Sequence, residues 1–256
     1  MSNCGSKVGI GSCSTSTNCP DSMGCPSDRC PDFTIKRHDV KPPMRIAVSD
    51  CDGPLDLSET GLVLEANMWA TGRLKTAITE TDTEISLADN IGFEQAMVGD
   101  VVVLDRARSP ERMEIIGFDE NNGTISVRRG IDGTTTASAW KRGTSLRIFR
   151  VVNGVASIEM VTEDLTQEDG SVLRDQLTGT FLVYNFLPSD TCLAGCYWLE
   201  FKLIKMADTS ASPSVISATP SLVGCQLGDG VEWVRRFPSD SEAFLIKIFN
   251  SPTAEI

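Results

Sequence analysis

Histidine is almost absent from this chain: His38 is the single one in 256 residues. A nucleophilic triad needs a base to take the nucleophile's proton, and only His38 could serve. Its neighbour Asp39 would point to the opposite face of a strand, where it could not orient the imidazole. No catalytic residue is therefore assigned, and the chain is not expected to be an enzyme. Also missing is any run of roughly 18 apolar residues, so no membrane span is expected. Basic charge is scarce: 23 Lys and Arg face 35 Asp and Glu, leaving a net charge of −12. That balance argues against nucleic acid as a partner, because phosphate binding needs clustered cations. Lys36-Arg37 and Arg235-Arg236 read as solvated strand faces. Gly9-Ile10-Gly11 neither follows a strand nor opens a helix, so no phosphate loop is expected.

What the chain does have is cysteine, nine in all. Met1–Ser6 lacks a charged stretch followed by an apolar one, so no secretory signal is expected and synthesis should be cytoplasmic. Thiols in that compartment normally stay reduced. Within residues 1–31, Val8, Ile10 and Met23 are almost the only bulky apolar side chains, too few to repay the entropy of ordering the segment. The same stretch holds Cys4, Cys13, Cys19, Cys25 and Cys30. Zinc sites bring two ligands close, as in Cys-x2-Cys, and no such pair occurs, so neither metal nor cofactor is expected. A coreless arm with five thiols suits disulfide stapling, and the odd number leaves one sulfur for another chain. The alternative is that these thiols stay free. Cys192 and Cys196, spaced Cys-x3-Cys, could pair locally, whereas Cys51 and Cys225 read as isolated thiols. A redox centre would want Cys-x2-Cys at a helix start.

From Phe33 onward short alternating runs are separated by turn residues, the pattern of half-buried strands. Met44, Ile46 and Val48 share a face, as do Leu62, Leu64, Ala66 and Met68, with Asp52-Gly53 turning between them. Val101–Leu104, Met113–Ile115 and Ile125–Val127 follow, and Asn122-Gly123 sits where a two-residue hairpin turn wants positive φ. Further strands are predicted at Leu146–Phe149, Phe181–Phe186, Cys196–Lys205, Val231–Arg235 and Phe244–Ile248. Helical periodicity is weak, with at best one turn near Gly92–Val98. The fold class is all-β.

Phe33–Asp39, Pro42-Pro43-Met44-Arg45-Ile46 and Asp50-Cys51-Asp52-Gly53-Pro54-Leu55-Asp56-Leu57 together resemble the opening of phage baseplate upper-protein N-terminal domains. Gly195-Cys196-Tyr197-Trp198-Leu199-Glu200-Phe201 is similar to that family's closing Gly-x-Tyr-x-x-Glu-Phe strand. The resemblance covers about half the chain and lacks a counterpart for the cysteine arm. It implies an immunoglobulin-like β-sandwich over 32–73 and 151–206, interrupted at 74–150 by a small β-barrel or sandwich. Residues 1–31 would be the anchoring arm, and 207–256 a linker and a C-terminal strand pair.

The expected role is a structural or adaptor component of a bacteriophage tail, a fibre or fibre-adaptor in the virion. It would attach to the baseplate or fibre subunits through N-terminal disulfides and form a homo-oligomer, a trimer being favoured. A second reading is a receptor-recognition module for host surface glycans, and a third is a glycan depolymerase. Asp50 and Asp52, or Glu163, Asp164, Glu168 and Asp169, offer carboxylates for cleavage or calcium, although a full calcium loop is lacking and solvated turns are the simpler reading. Of the four tryptophans, at least two should be buried, Trp198 and Trp233 first.

Overall fold

The computed structural model describes residues 7–9, 31–50, 53–88, 94–104, 110–137, 139–206, 231–238 and 243–250. Its strands, in chain order, are β1 (Lys7–Gly9), β2 (Phe33–Lys36), β3 (Met44–Ser49), β4 (Leu62–Arg73), β5 (Ile78–Thr79), β6 (Glu84–Ser86), β7 (Val101–Leu104) and β8 (Glu111–Asp119). There follow β9 (Thr124–Arg129), β10 (Ala139–Trp140), β11 (Ser145–Val155), β12 (Ser157–Thr166), β13 (Val172–Tyr184), β14 (Gly195–Met206), β15 (Val231–Phe237) and β16 (Phe244–Phe249). The molecule is all-β, as expected. Glu94 alone represents the helical turn anticipated near Gly92–Val98, part of which lies outside the described residues.

One sheet has the order β1-β3-β13-β12, and a larger one runs β2-β16-β14-β4-β11-β7-β8-β9-β6 with β15 also on β14. They face each other over a shared core. Met44, Ile46 and Val48 from the small sheet meet Leu64, Ala66, Met68, Tyr197, Leu199, Phe201 and Leu203 from the large one. This sandwich-like arrangement follows from period-two alternation, which turns one face of each strand inward. Each fully buried Leu or Phe there contributes roughly 1.5–3 kcal/mol of apolar transfer.

A second core gathers Leu74, Ile85, Val102, Leu104, Met113, Ile115, Ile125, Val127, Trp140, Leu146 and Ile148. The two cores share strands. In β4, Leu64, Ala66, Met68 and Ala70 pack into the first core, and Leu74, just past its end, into the second. In β11, Leu146 and Ile148 serve the second core and Val151 the first, with bulges between Phe149 and Val151 and between Val151 and Gly154. Such bulges bend and twist a strand, which lets one strand turn from one core to the next. At Gly154 a Cβ would lie 2.5 Å from Val151 Cγ1 and 3.1 Å from the Tyr184 ring, so glycine is required.

Several expectations need correction. The hairpin at Asn122-Gly123 forms, but Asp119 pairs with Thr124, so the loop is Glu120–Gly123 and not two residues. Gly123 has positive φ (62°), and Asp119 caps the loop by accepting from the Asn121 and Asn122 N–H groups (3.0 and 3.3 Å). That side-chain cap favours the longer loop. The two C-terminal strands do not pair with each other. Both lie on one edge of β14, β15 on Phe201–Met206 and β16 on Gly195–Leu199. At 12 residues β14 is about twice the usual strand length and has room for both. Trp69 and Trp140 are the buried tryptophans, while Trp198 and Trp233 are only partly buried. Trp140 is buried because Glu111 satisfies its indole N–H at 2.7 Å.

Candidate interaction surface

After Ala156 the chain leaves the large sheet and forms β12 and β13, a hairpin joined by Gln167–Ser171. At its base Ile158 is opposite Leu182 and Met160 opposite Thr180, with Leu182 and Thr180 buried. Arg45 of β3 clamps the other face, its guanidinium 3.6 Å above the Phe181 ring and its Nε 3.0 Å from Glu159 Oε2. Beyond Met160 the hairpin loses its core. Of the residues in β12, only Ile158 and Val161 escape full exposure, and Val172 to Asp175 of β13 are exposed as well.

Two bulges shape this arm. One falls between Val161 and Thr162, where a Cβ on Gly179 would come within 2.8 Å of the Phe181 ring. The other falls between Glu163 and Leu165, where Asp175 takes φ of 53° and its N–H donates to Asp164 Oδ1 at 3.0 Å. At the tip Asp169 Oδ1 accepts from the Ser171 N–H (2.8 Å) and hydroxyl (2.6 Å), which holds its carboxyl below the usual range. Leu165 faces Leu173, and both are more than 40% exposed, as is Val172. Glu159, Glu163, Asp164, Glu168, Asp169 and Asp175 give the arm its charge, with Arg174 the only cation from 157 to 178.

Of the carboxylates singled out in the sequence, Glu163, Asp164, Glu168 and Asp169 thus lie on this arm, as turn caps and solvated strand residues. Among the described residues no group of three or more His, Cys, Asp or Glu side chains comes together as a ligand set. Asp50 is exposed, its N–H donating to Gly53 O at 2.8 Å, and Asp52 lies outside the described residues. His38 is exposed in a turn with φ of 65°.

A second polar cluster lies where the modules meet. Asp100 and Arg150, both nearly buried, pair at 3.1 Å, and Asp100 also accepts from the Met97 N–H at 2.8 Å. Burial pushes the Asp100 carboxyl up to about 6, against the opposing pull of Arg150 and that N–H. Arg150 donates to Gln95 O at 2.8 Å and reaches Cys192 Sγ at 3.5 Å. Gly195 has a φ of 151°, and a Cβ there would come within 2.2 Å of the Gln95 amide, so both backbone and packing favour glycine at the start of β14.

Cys192 and Cys196 do not pair with each other. Cys192 is a free thiol turned to Ser189 O (2.9 Å) and Met97 Sδ (3.0 Å). Its loop is pinned by Arg37 Nε on Cys192 O at 2.6 Å and by the His38 N–H on Thr191 O at 3.0 Å. Cys196 is buried in β14. Cys4, Cys13, Cys19, Cys25, Cys30, Cys51 and Cys225 fall outside the described residues.

Sequence reasoning missed the hairpin arm, the Asp100–Arg150 pair, and a network on Glu111. That carboxylate accepts from Arg129 Nε (2.7 Å) and Nη2 (2.8 Å), Trp140 Nε1 (2.7 Å) and the Ala137 N–H (3.1 Å). Burial alone would raise Glu111, but these donors and the Arg129 charge together hold it below its ordinary value. Fully satisfied, the network ties together the strands around the second core. No protein-family model matches the chain, and no curated protein matches it.

Proposed function

We propose that this protein is a non-enzymatic structural adaptor of a bacteriophage tail, a fibre or fibre-adaptor subunit. In this reading the first module is an immunoglobulin-like sandwich of the baseplate upper-protein kind. Cys4, Cys13, Cys19, Cys25 and Cys30 fasten the chain to baseplate or fibre subunits, and the folded modules associate as a homo-oligomer, a trimer being favoured.

The observation that carries this reading is the spine of the molecule. β4 and β11, of 12 and 11 residues, run through both cores as one antiparallel pair. Force applied to either module passes to the other through backbone hydrogen bonds and not through a flexible linker. That suits a connector under tension, and an exposed hairpin on the same body supplies a surface for a neighbour. Mass spectrometry of purified phage particles tests the placement. The chain should be present, and disulfide-linked peptides should join one of its five arm cysteines to a second protein. Particles that lack the chain would overturn the reading.

A further inference from the structure

We propose that β12 is a docking edge for a basic, extended segment of another protein, which adds to the small sheet as a fifth strand. The inference stands on the geometry of the hairpin and not on where the protein works.

β12 is the outermost strand of its sheet: β13 pairs with one edge, and among the described residues nothing pairs with the other. In a ten-residue strand paired along one edge, about every second residue turns its N–H and C=O to the free edge, a template for strand addition that proteins usually disarm with lysine, proline, a bulge or a short length. β12 contains no proline, no lysine and no arginine, and the extra residues at its two register shifts lie on β13. A two-stranded hairpin without a core is also marginally stable by itself, so a third strand along β12 would add ladder hydrogen bonds where the arm has least support.

Charge selects the occupant. Glu159, Glu163 and Asp164 lie in β12, with Glu168 and Asp169 just beyond it. A second copy of the edge would bring carboxylates against carboxylates, and like charges directly opposite are destabilising. Glu159 is already held by Arg45, so a strand carrying Lys or Arg at alternate positions would set its cations beside Glu163, while its apolar residues cover the exposed Met160 on the opposite face.

The test uses the full chain and two synthetic peptides matched to the 10 residues of β12, one alternating lysine with valine and the other glutamate with valine. NMR titration of the labelled protein should show the lysine peptide shifting the amides of 157–166 and slowing their hydrogen exchange, with binding weakened by salt. The glutamate peptide should not bind. The double variant Glu163→Lys, Glu168→Lys changes two exposed residues and should keep the fold, checked by an unchanged thermal midpoint. It should bind the lysine peptide about tenfold more weakly, since two attractions become repulsions. Shifts that map away from 157–166, equal binding of both peptides, or unchanged binding by the variant would each overturn the proposal. So would dimerisation of the protein through β12.

Discussion

Two hairpins do opposite things in this molecule. In β8–β9 nearly every second side chain is buried, and Arg129 at its end is tied to Glu111. In β12–β13 only the base touches a core, and the outer part is acidic, bulged and exposed. Both turns are closed by an aspartate cap, Asp119 in one and Asp169 in the other. Turn chemistry is therefore common to both. The difference lies in what the strands rest on, and it separates a hairpin that builds the fold from one that is free to meet a partner.

The sharpest way to break this contrast is Glu111→Ala, which leaves the Arg129 guanidinium buried without its counter-charge. A loss of about 3–5 kcal/mol is expected in urea unfolding, as for other broken buried pairs. A loss under 1 kcal/mol would show that the network does not hold the strands of the second core together.

Next in size is a pH effect beside the inner hairpin, where the Ile115 N–H donates to Asp100 O at 2.9 Å. The folded Asp100 carboxyl sits near 6 instead of 3.8, so between these values the folded chain holds a proton that the unfolded chain has released. The stability this gives is complete below 3.8 and is lost as pH rises through about 6. A shift of that size corresponds to up to about 3 kcal/mol. Asp100→Asn should flatten the stability profile across this window, and an unchanged slope would assign it elsewhere. Glu111, held low, acts in the opposite sense: its contribution is present above 4.5 and is lost as acid protonates it.

A smaller effect is expected at the inner turn. Asp119→Ala removes the cap over Asn121 and Asn122 and should cost about 0.5–1.5 kcal/mol. The smallest belongs to the arm, where Leu173→Ser should change unfolding stability by no more than about 0.5 kcal/mol, because the side chain is exposed and belongs to none of the cores. A loss of several kcal/mol there would mean that the arm belongs to the core after all.

The inner hairpin was legible because Ile125 and Val127 alternate with polar residues and Asn122-Gly123 follows a strand-like run. The arm was not. Ile158, Met160, Val161 and Leu165 show no steady period of two, because a strand exposed on both faces has no buried side to keep apolar. Nor could the site contacts be read. Glu111 and Arg129 are 18 residues apart and meet only through the hairpin register, and Asp100 meets Arg150 only because β7 lies against β11.

The sequence by itself determined that the chain is all-β and where most of its strands lie, since alternation and turn residues are local properties. Which strands share an edge, that β4 and β11 serve two cores at once, and that Cys192 turns to Met97 and not to Cys196 were decided only by the tertiary structure. Each depends on surfaces brought together from distant parts of the chain, and no local pattern encodes them.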